Sequence, residues 1–459
     1  MKHLKKITLL LIAVIIASTL CLPAGAAEKP VFEGKAALLL ELNSNEILFE
    51  QNADATVYPA SLTKIMTCLL TLESGTLTDT VTVSETALEG LDASGSTIGL
   101  LPGETMTVEN LLYSIMLSSA NEACNVAAEY VSGSIESFLD AMNTRAGQLG
   151  CTGTHFANTH GLHDEDHYTT ARDLSLIAQA ALKNNAFREI VSTANYTMPA
   201  TNLSPQRKLT TTNQLIQKRS ENRYYDSRVT GIKTGFTTPA GRCLIASAED
   251  GTLSLLSVVC GCETRILETG DLEFASFPET KKLLDYGFNN FTYQTVLTTL
   301  YPITEIPVSR SAGANFVSLA PKEEITALLP ADFDAEKLQT THTLVSDEGV
   351  TAPVAAGDEL GSVTLIYNGK EIGTVPLVAI TAVERGSIFS LLNPTRYSKQ
   401  TWLQIFLICV ILACVTIIIA MIIRKKEQKR RLKQQRRMRQ MQKANTDSFG
   451  TADWFERNQ

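Results

Sequence analysis

The chain has 459 residues, is 44% apolar and 19% charged, and carries a formal net charge of −8 at pH 7. That length is too great for one hydrophobic core and implies at least two domains. The charge is unevenly spread: setting aside +10 in residues 424–443, +3 in the leader and −2 in 444–459 leaves −19 for the rest, which argues against a polyanionic substrate for that part.

Residues 1–6 are basic, 7–22 are apolar, and 23–27 read Pro-Ala-Gly-Ala-Ala, so 1–26 is a signal peptide. Cys21 follows Leu20, where a lipobox needs a small residue, and is not expected to carry lipid. A first domain over 27–291 opens with a hairpin of residues 36–42 and 46–50 around Asn43-Ser44-Asn45. Apolar spacing then predicts helices over 61–74, 108–116, 122–131 and 173–182, and strands over 231–234, 242–248 and 253–259. Strands at both ends of a helical middle make an α+β domain.

The short alternating runs of 292–385 predict a small all-β domain, with turns at Asn368-Gly369 and Ala356-Gly357-Asp358. After a linker over 386–401, residues 402–423 are apolar without a charge and long enough to span a bilayer. The tail, 424–459, begins with eleven Lys/Arg against Glu427 and is placed in the cytoplasm by the positive-inside rule, leaving 27–401 outside. A basic cluster beside a span is read as a topology and anionic-lipid determinant, not a nucleic-acid site.

Six of the nine cysteines (Cys68, Cys124, Cys151, Cys243, Cys260, Cys262) fall in the external part, where oxidation is permitted. Their pairing cannot be read, although Cys68, Cys124, Cys243 and Cys260 sit in apolar patterns as small buried hydrophobes would.

Three motifs carry chemistry: Ser61-Leu62-Thr63-Lys64, Ser119-Ala120-Asn121 and Lys233-Thr234-Gly235. Pro59 stops helix from extending backward, which puts Ser61 in the first turn of a helix with Lys64 three residues on, on the same face. Such a lysine takes the serine proton only when uncharged, and desolvation and a second cation, Lys233, both push it that way. Ser119 and Asn121 fall in a short turn between helices, where Ser119 could relay a proton and Asn121 hold a substrate amide and Lys64. Lys233-Thr234-Gly235 reads as an edge strand beside which a peptide could lie, with Lys233 and Thr234 attracting a carboxylate.

Together with Tyr58-Pro59-Ala60-Ser61-Leu62-Thr63-Lys64-Ile65-Met66-Thr67, Phe156-Ala157-Asn158-Thr159-His160-Gly161-Leu162, Thr169-Thr170-Ala171-Arg172-Asp173-Leu174 and Lys282-Leu283-Leu284-Asp285-Tyr286-Gly287-Phe288, these motifs give the chain its resemblance. It resembles the penicillin-binding D-alanyl-D-alanine carboxypeptidases, the S11 serine peptidases of the bacterial envelope. The resemblance implies a β-lactamase/transpeptidase-like domain, an antiparallel sheet with a helical cluster, followed by the small all-β domain and the anchor. It implies Ser61 as nucleophile, Lys64 as general base, Ser119 and Asn121 as proton relay and substrate holder, and Lys233, Thr234 and Gly235 facing the substrate, with the Phe236 N–H completing an oxyanion hole. The substrate would be the peptidoglycan stem pentapeptide, β-lactams would acylate the same serine, and no metal or organic cofactor is needed. Ser119-Ala120-Asn121-Glu122 stands where Ser-Gly-Asn-Asp is common in the family, a departure that keeps both polar side chains of the second motif and is expected to alter the turn and the rate without abolishing activity.

Two rival chemistries fit the sequence less well. His155, His160, His163 and His167 cluster with Asp164 and Asp166, but the His-Glu-x-x-His pattern is missing and the polar stretch reads as solvated loop histidines. A class A β-lactamase needs a deacylating Glu-x-x-Leu-Asn after the second motif; the only Glu-Leu-Asn, at Glu41-Leu42-Asn43, precedes Ser61. A non-enzymatic peptidoglycan-binding scaffold sits poorly with intact Ser61, Lys64 and Lys233.

Overall fold

The computed structural model describes residues 29–92, 95–386 and 399–447. The expected signal peptide, most of the linker and the end of the tail lie outside the described residues. The chain forms two compact units, one running to Leu297 and including Ile325–Gln339 and Ile366–Gly373, the other made of Thr298–Glu324, Thr340–Leu365 and the residues from Thr374 on.

The strands are β1 (Ala36–Glu41), β2 (Ile47–Gln51), β3 (Thr80–Thr82), β4 (Thr105–Thr107), β5 (Asn195–Met198), β6 (Arg207–Thr210), β7 (Lys233–Thr237), β8 (Gly241–Glu249), β9 (Ser254–Cys262), β10 (Thr264–Ile266), β11 (Leu272–Phe274), β12 (Phe291–Leu297), β13 (Thr304–Ser309), β14 (Phe316–Pro321), β15 (Ile325–Pro330), β16 (Leu338–Leu344), β17 (Val350–Thr351), β18 (Glu359–Tyr367) and β19 (Lys370–Ala379). The helices are α1 (Lys64–Ser74), α2 (Val108–Met116), α3 (Asn121–Ser132), α4 (Ile135–Gln148), α5 (Ala171–Leu182), α6 (Asn185–Ser192), α7 (Ser276–Asn290) and α8 (Lys399–Asp447).

The first unit is built on an antiparallel sheet in the order β2-β1-β9-β8-β7. All six residues of β1 are buried, because the strand feeds two cores. Leu38 and Leu40 join the core of α1–α6, while Ala37 and Leu39 pack on the other face with Phe277, Leu283 and Leu284 of α7. Local chemistry sets the helix ends. Thr107 and Thr170 accept the backbone N–H of Asn110 and Asp173 and so start α2 and α5, and Gly133, with φ of 77°, ends α3.

Two features of this arrangement create a cleft. β7 is the free edge of the sheet, and the short 3-10 turn Ala60–Thr63 ahead of α1 lies against it. The contact is close enough that a Cβ on Gly235 would sit 3.0 Å from the Pro59 carbonyl oxygen and 3.2 Å from the Ser61 nitrogen. Glycine is therefore the residue that lets strand and turn meet.

A second sheet takes the order β16-β18-β19-β14-β13-β17. Its β18–β19 hairpin turns through Asn368 and Gly369 with φ of 49° and 79°, the positive pair that Asn-Gly predicts. α8 contains one stretch, from Leu403, long and apolar enough to cross a membrane. The helix continues unbroken through the basic residues to Asp447, which the sequence reading had not assigned; these are good helix formers with no Gly or Pro among them.

Candidate active site

Ser61 sits within the 3-10 turn, one step ahead of α1 rather than in its first turn. In 3-10 geometry side chains three apart eclipse one another, and the Lys64 Nζ stands 3.1 Å from the Ser61 Oγ. Ala60, the residue before the serine, has φ of 48°, a left-handed conformation unusual for a side-chain-bearing residue.

Lys64 is fully buried, and its Nζ donates to three acceptors: Ser61 Oγ, Asn121 Oδ1 at 2.8 Å and the His160 carbonyl at 2.6 Å. Burial pushes its pKa down to about 8, against an upward pull from Cys124 and Glu122. The neutral amine keeps two N–H groups and one lone pair. Asn121 Oδ1 and the His160 carbonyl can only accept, so they hold the two N–H groups and the lone pair faces the serine hydroxyl.

The second motif is placed differently from the turn expected of it. Ala120 is the N-cap of α3 and Asn121 its first helical residue, so only Leu117, Ser118, Ser119 and Ala120 lie between α2 and α3. Ser119, with φ of 60°, directs its hydroxyl to Ser61 Oγ at 3.0 Å. Glu122 turns away from the cleft, taking hydrogen bonds from the Thr97 hydroxyl at 2.6 Å and the Ile98 N–H at 2.8 Å.

Opposite stands β7. Lys233 is buried, and among the described residues its Nζ has one acceptor, the Thr234 carbonyl at 3.1 Å. Burial and the charge of Lys64 lower its pKa to about 7. The Thr234 hydroxyl is 2.5 Å from that of Thr212, and Phe236 is 48% exposed. Behind it lies Arg242, which the sequence reading did not single out. It pairs across the β7–β8 ladder with Phe236 and holds its guanidinium 3.8 Å from the ring centres of both Phe236 and Phe274. These groups line one cavity of about 1550 Å³, to which Ser61, Ser119, Asn121, Thr234, Gly235 and Arg242 all contribute.

The histidine stretch is not a solvated loop throughout. His160 and His167 are 9% and 2% exposed, and burial lowers their pKa to about 3 and about 4. His167 is used up by hydrogen bonds from the Ala157 and Asn158 N–H groups at Nδ1 and to Thr63 at Nε2, while His160 supplies its carbonyl to Lys64. A backbone carbonyl leaves no mark on residue type, so this acceptor could not be read from sequence. Cys68, Cys124, Cys151, Cys243, Cys260 and Cys262 are buried as free thiols.

Residues 24–264 match the D-alanyl-D-alanine carboxypeptidase family, and 291–385 match the C-terminal domain of penicillin-binding protein 5. The chain is 30% identical to the D-alanyl-D-alanine carboxypeptidase DacF of Bacillus subtilis, over 79% of this chain and 89% of that protein. It is 33% identical to DacC of Escherichia coli, another D-alanyl-D-alanine carboxypeptidase, over 79% and 87%. Among solved structures, penicillin-binding protein 5 of Haemophilus influenzae is similar with a TM-score of 0.58 at 28% identity, covering 78% of this chain and all of that one. The family-wide motifs, the α+β fold and these relatives agree, and the chain belongs to the S11 D-alanyl-D-alanine carboxypeptidases, serine-type hydrolases of the penicillin-binding class.

Proposed function

We propose that the chain removes the terminal D-alanine from peptidoglycan stem pentapeptides through an acyl-enzyme on Ser61, and so limits cross-linking. The observation that carries this reading is that two acceptor-only groups, Asn121 Oδ1 and the His160 carbonyl, hold two N–H groups of Lys64, which leaves one direction for the lone pair of the neutral amine, toward Ser61 Oγ 3.1 Å away. The peptide lies beside the β7 edge, its carboxylate held by Lys233, Thr234 and the permanent cation of Arg242. Lys64 takes the Ser61 proton as Oγ attacks the carbonyl. The oxyanion forms between the Ser61 and Phe236 N–H groups. Ser119 relays the proton held by Lys64 to the leaving amine as the amide C–N bond breaks, which returns Lys64 to its neutral form, while Asn121 holds the substrate amide and Lys64. Water, deprotonated by Lys64 in its turn, then frees the serine.

On this reading β-lactams acylate Ser61, and no cofactor enters any step. Residues 1–26 are cleaved, 27–291 carry the chemistry, 292–385 serve as a platform, and 386–401 link them to the span. Residues 402–423 cross the membrane with 424–459 inside and the catalytic domain outside, the orientation that the eleven cations after the span favour.

The test is intact-mass spectrometry of the protein and its Ser61→Ala variant after brief penicillin exposure, with D-alanine release from a D-Ala-D-Ala pentapeptide followed alongside. Adduct and release, both lost in the variant, are expected. Rapid penicillin hydrolysis without an adduct would point to a β-lactamase, and neither adduct nor turnover to a scaffold.

A further inference from the structure

We infer that His167 and Thr63 form a relay that aims the Ser61 N–H at the oxyanion, which makes His167 a positioning residue for the reaction. The inference rests on Ser61 as the nucleophile.

His167 is buried, and its Nδ1 accepts the N–H of Ala157 at 2.9 Å and of Asn158 at 3.3 Å. A ring nitrogen that accepts an N–H carries no proton, so the single proton of the neutral imidazole is on Nε2. Nε2 lies 2.7 Å from Thr63 Oγ1 and donates to it. The hydroxyl proton of Thr63 is then committed to the Ala60 carbonyl, 2.9 Å away. Each step has only one direction open to it.

The end of this chain is what gives it a role in catalysis. The Ala60 carbonyl and the Ser61 N–H are opposite ends of one planar peptide, so fixing the oxygen fixes the line along which the N–H points. A hydrogen bond accepted by the carbonyl also polarises the amide and strengthens its N–H as a donor. The same carbonyl is confined from the histidine loop, since a Cβ on Gly161, at φ of 90°, would fall 1.8 Å from the Ala60 oxygen and 2.9 Å from Thr63 Oγ1. Ala60 itself is left-handed, a conformation that persists where neighbours over-determine it. The N–H that the relay aims faces β7, where Gly235 makes the close approach already described. Asp164, His155, His160 and His163 on its own loop and Lys64 from α1 are titratable groups around His167, and burial is the largest influence keeping the ring neutral.

The experiment compares the full-length protein with His167→Ala, Thr63→Val, Thr63→Ser and the His167→Ala/Thr63→Val double variant. For each, kcat and KM on a D-Ala-D-Ala peptide are scaled to the sites that penicillin can acylate, and the Ki of a boronic acid forming a tetrahedral serine adduct is measured. A lost oxyanion donor costs about 100-fold or more in kcat, and a misaimed one about tenfold or more is expected for His167→Ala and Thr63→Val. The boronic acid should weaken by the same factor with KM within about twofold, Thr63→Ser should stay near the parent, and the double variant should be no worse than either single one. Unchanged kcat per acylatable site, a loss confined to KM or to the number of sites, or additive losses in the double variant would each overturn the relay. Ser61→Ala separates the two ideas: an adduct surviving in that variant sinks the nucleophile, whereas its disappearance beside a full-rate His167→Ala sinks only the relay.

Discussion

Two buried lysines stand on opposite sides of the cleft, behind residues that line it, and the two walls treat them differently. Lys64 is gripped by acceptors from three segments, the Ser61 turn, the start of α3 and the His160 loop. Lys233, on the sheet edge, has among the described residues only the neighbouring Thr234 carbonyl. The helical wall therefore holds a finished base, with every donor assigned before substrate arrives. The strand wall holds a cation with donors to spare, which suits a group meant to meet an incoming carboxylate. Desolvation lowers the pKa of both, and the charge of Lys64 lowers that of Lys233 further.

The largest expected effect breaks the helical wall. Lys64→Met should lower penicillin acylation by roughly a thousandfold or more, read as the second-order rate by mass spectrometry, with the fold retained by circular dichroism. The pH dependence sharpens the contrast. With Lys64 required neutral, acylation in the parent should rise with pH through about 8, the value burial gives that lysine. Lys233, at about 7, is already mostly neutral where Lys64 titrates, so Lys233→Met should leave that midpoint near 8 while KM for the peptide rises. Gly235→Ala probes the seam between the walls. Its methyl would press on Pro59 and Ser61, lowering kcat about tenfold and destabilising the fold by roughly 1–3 kcal/mol in urea titration.

The smallest effect concerns stability alone. His160 and His167 have folded pKa values of about 3 and about 4, below the ordinary 6.5. The unfolded chain then binds more protons below pH 6.5, so stability should be lost as pH falls from about 6.5 toward 4. His167→Gln should flatten that slope, as measured by denaturant midpoints across the range.

Much of this site was legible because its chemistry sits in short motifs whose residues are close in sequence. Ser61 and Lys64 are three apart in one turn, and Ser119 and Asn121 flank one helix start. What escaped was long-range or lacked side-chain identity: the His160 carbonyl, and Arg242, whose part depends on cross-strand pairing with Phe236. The histidine loop was misjudged since its polar sequence hides that both nitrogens of His167 are satisfied internally. In the fold, β1, β2 and the helices with broad apolar faces could be read. α4 could not, as only Phe138, Met142 and Ala146 are buried along its 14 residues, a stripe too thin to stand out. α7 carries Pro278 near its start, where the missing N–H is harmless but the residue reads as a breaker.

Ala60 and Ser119, at φ of 48° and 60°, bracket the nucleophile with two backbone conformations that glycine would adopt more easily, by about 1 kcal/mol each. Laboratory evolution for heat resistance alone would therefore reach Ala60→Gly early. Evolution for turnover would discard it, since the added backbone freedom lets the Ser61 peptide swing. The two selections would part at a single methyl group, and a library scored on only one of them would misrank the position.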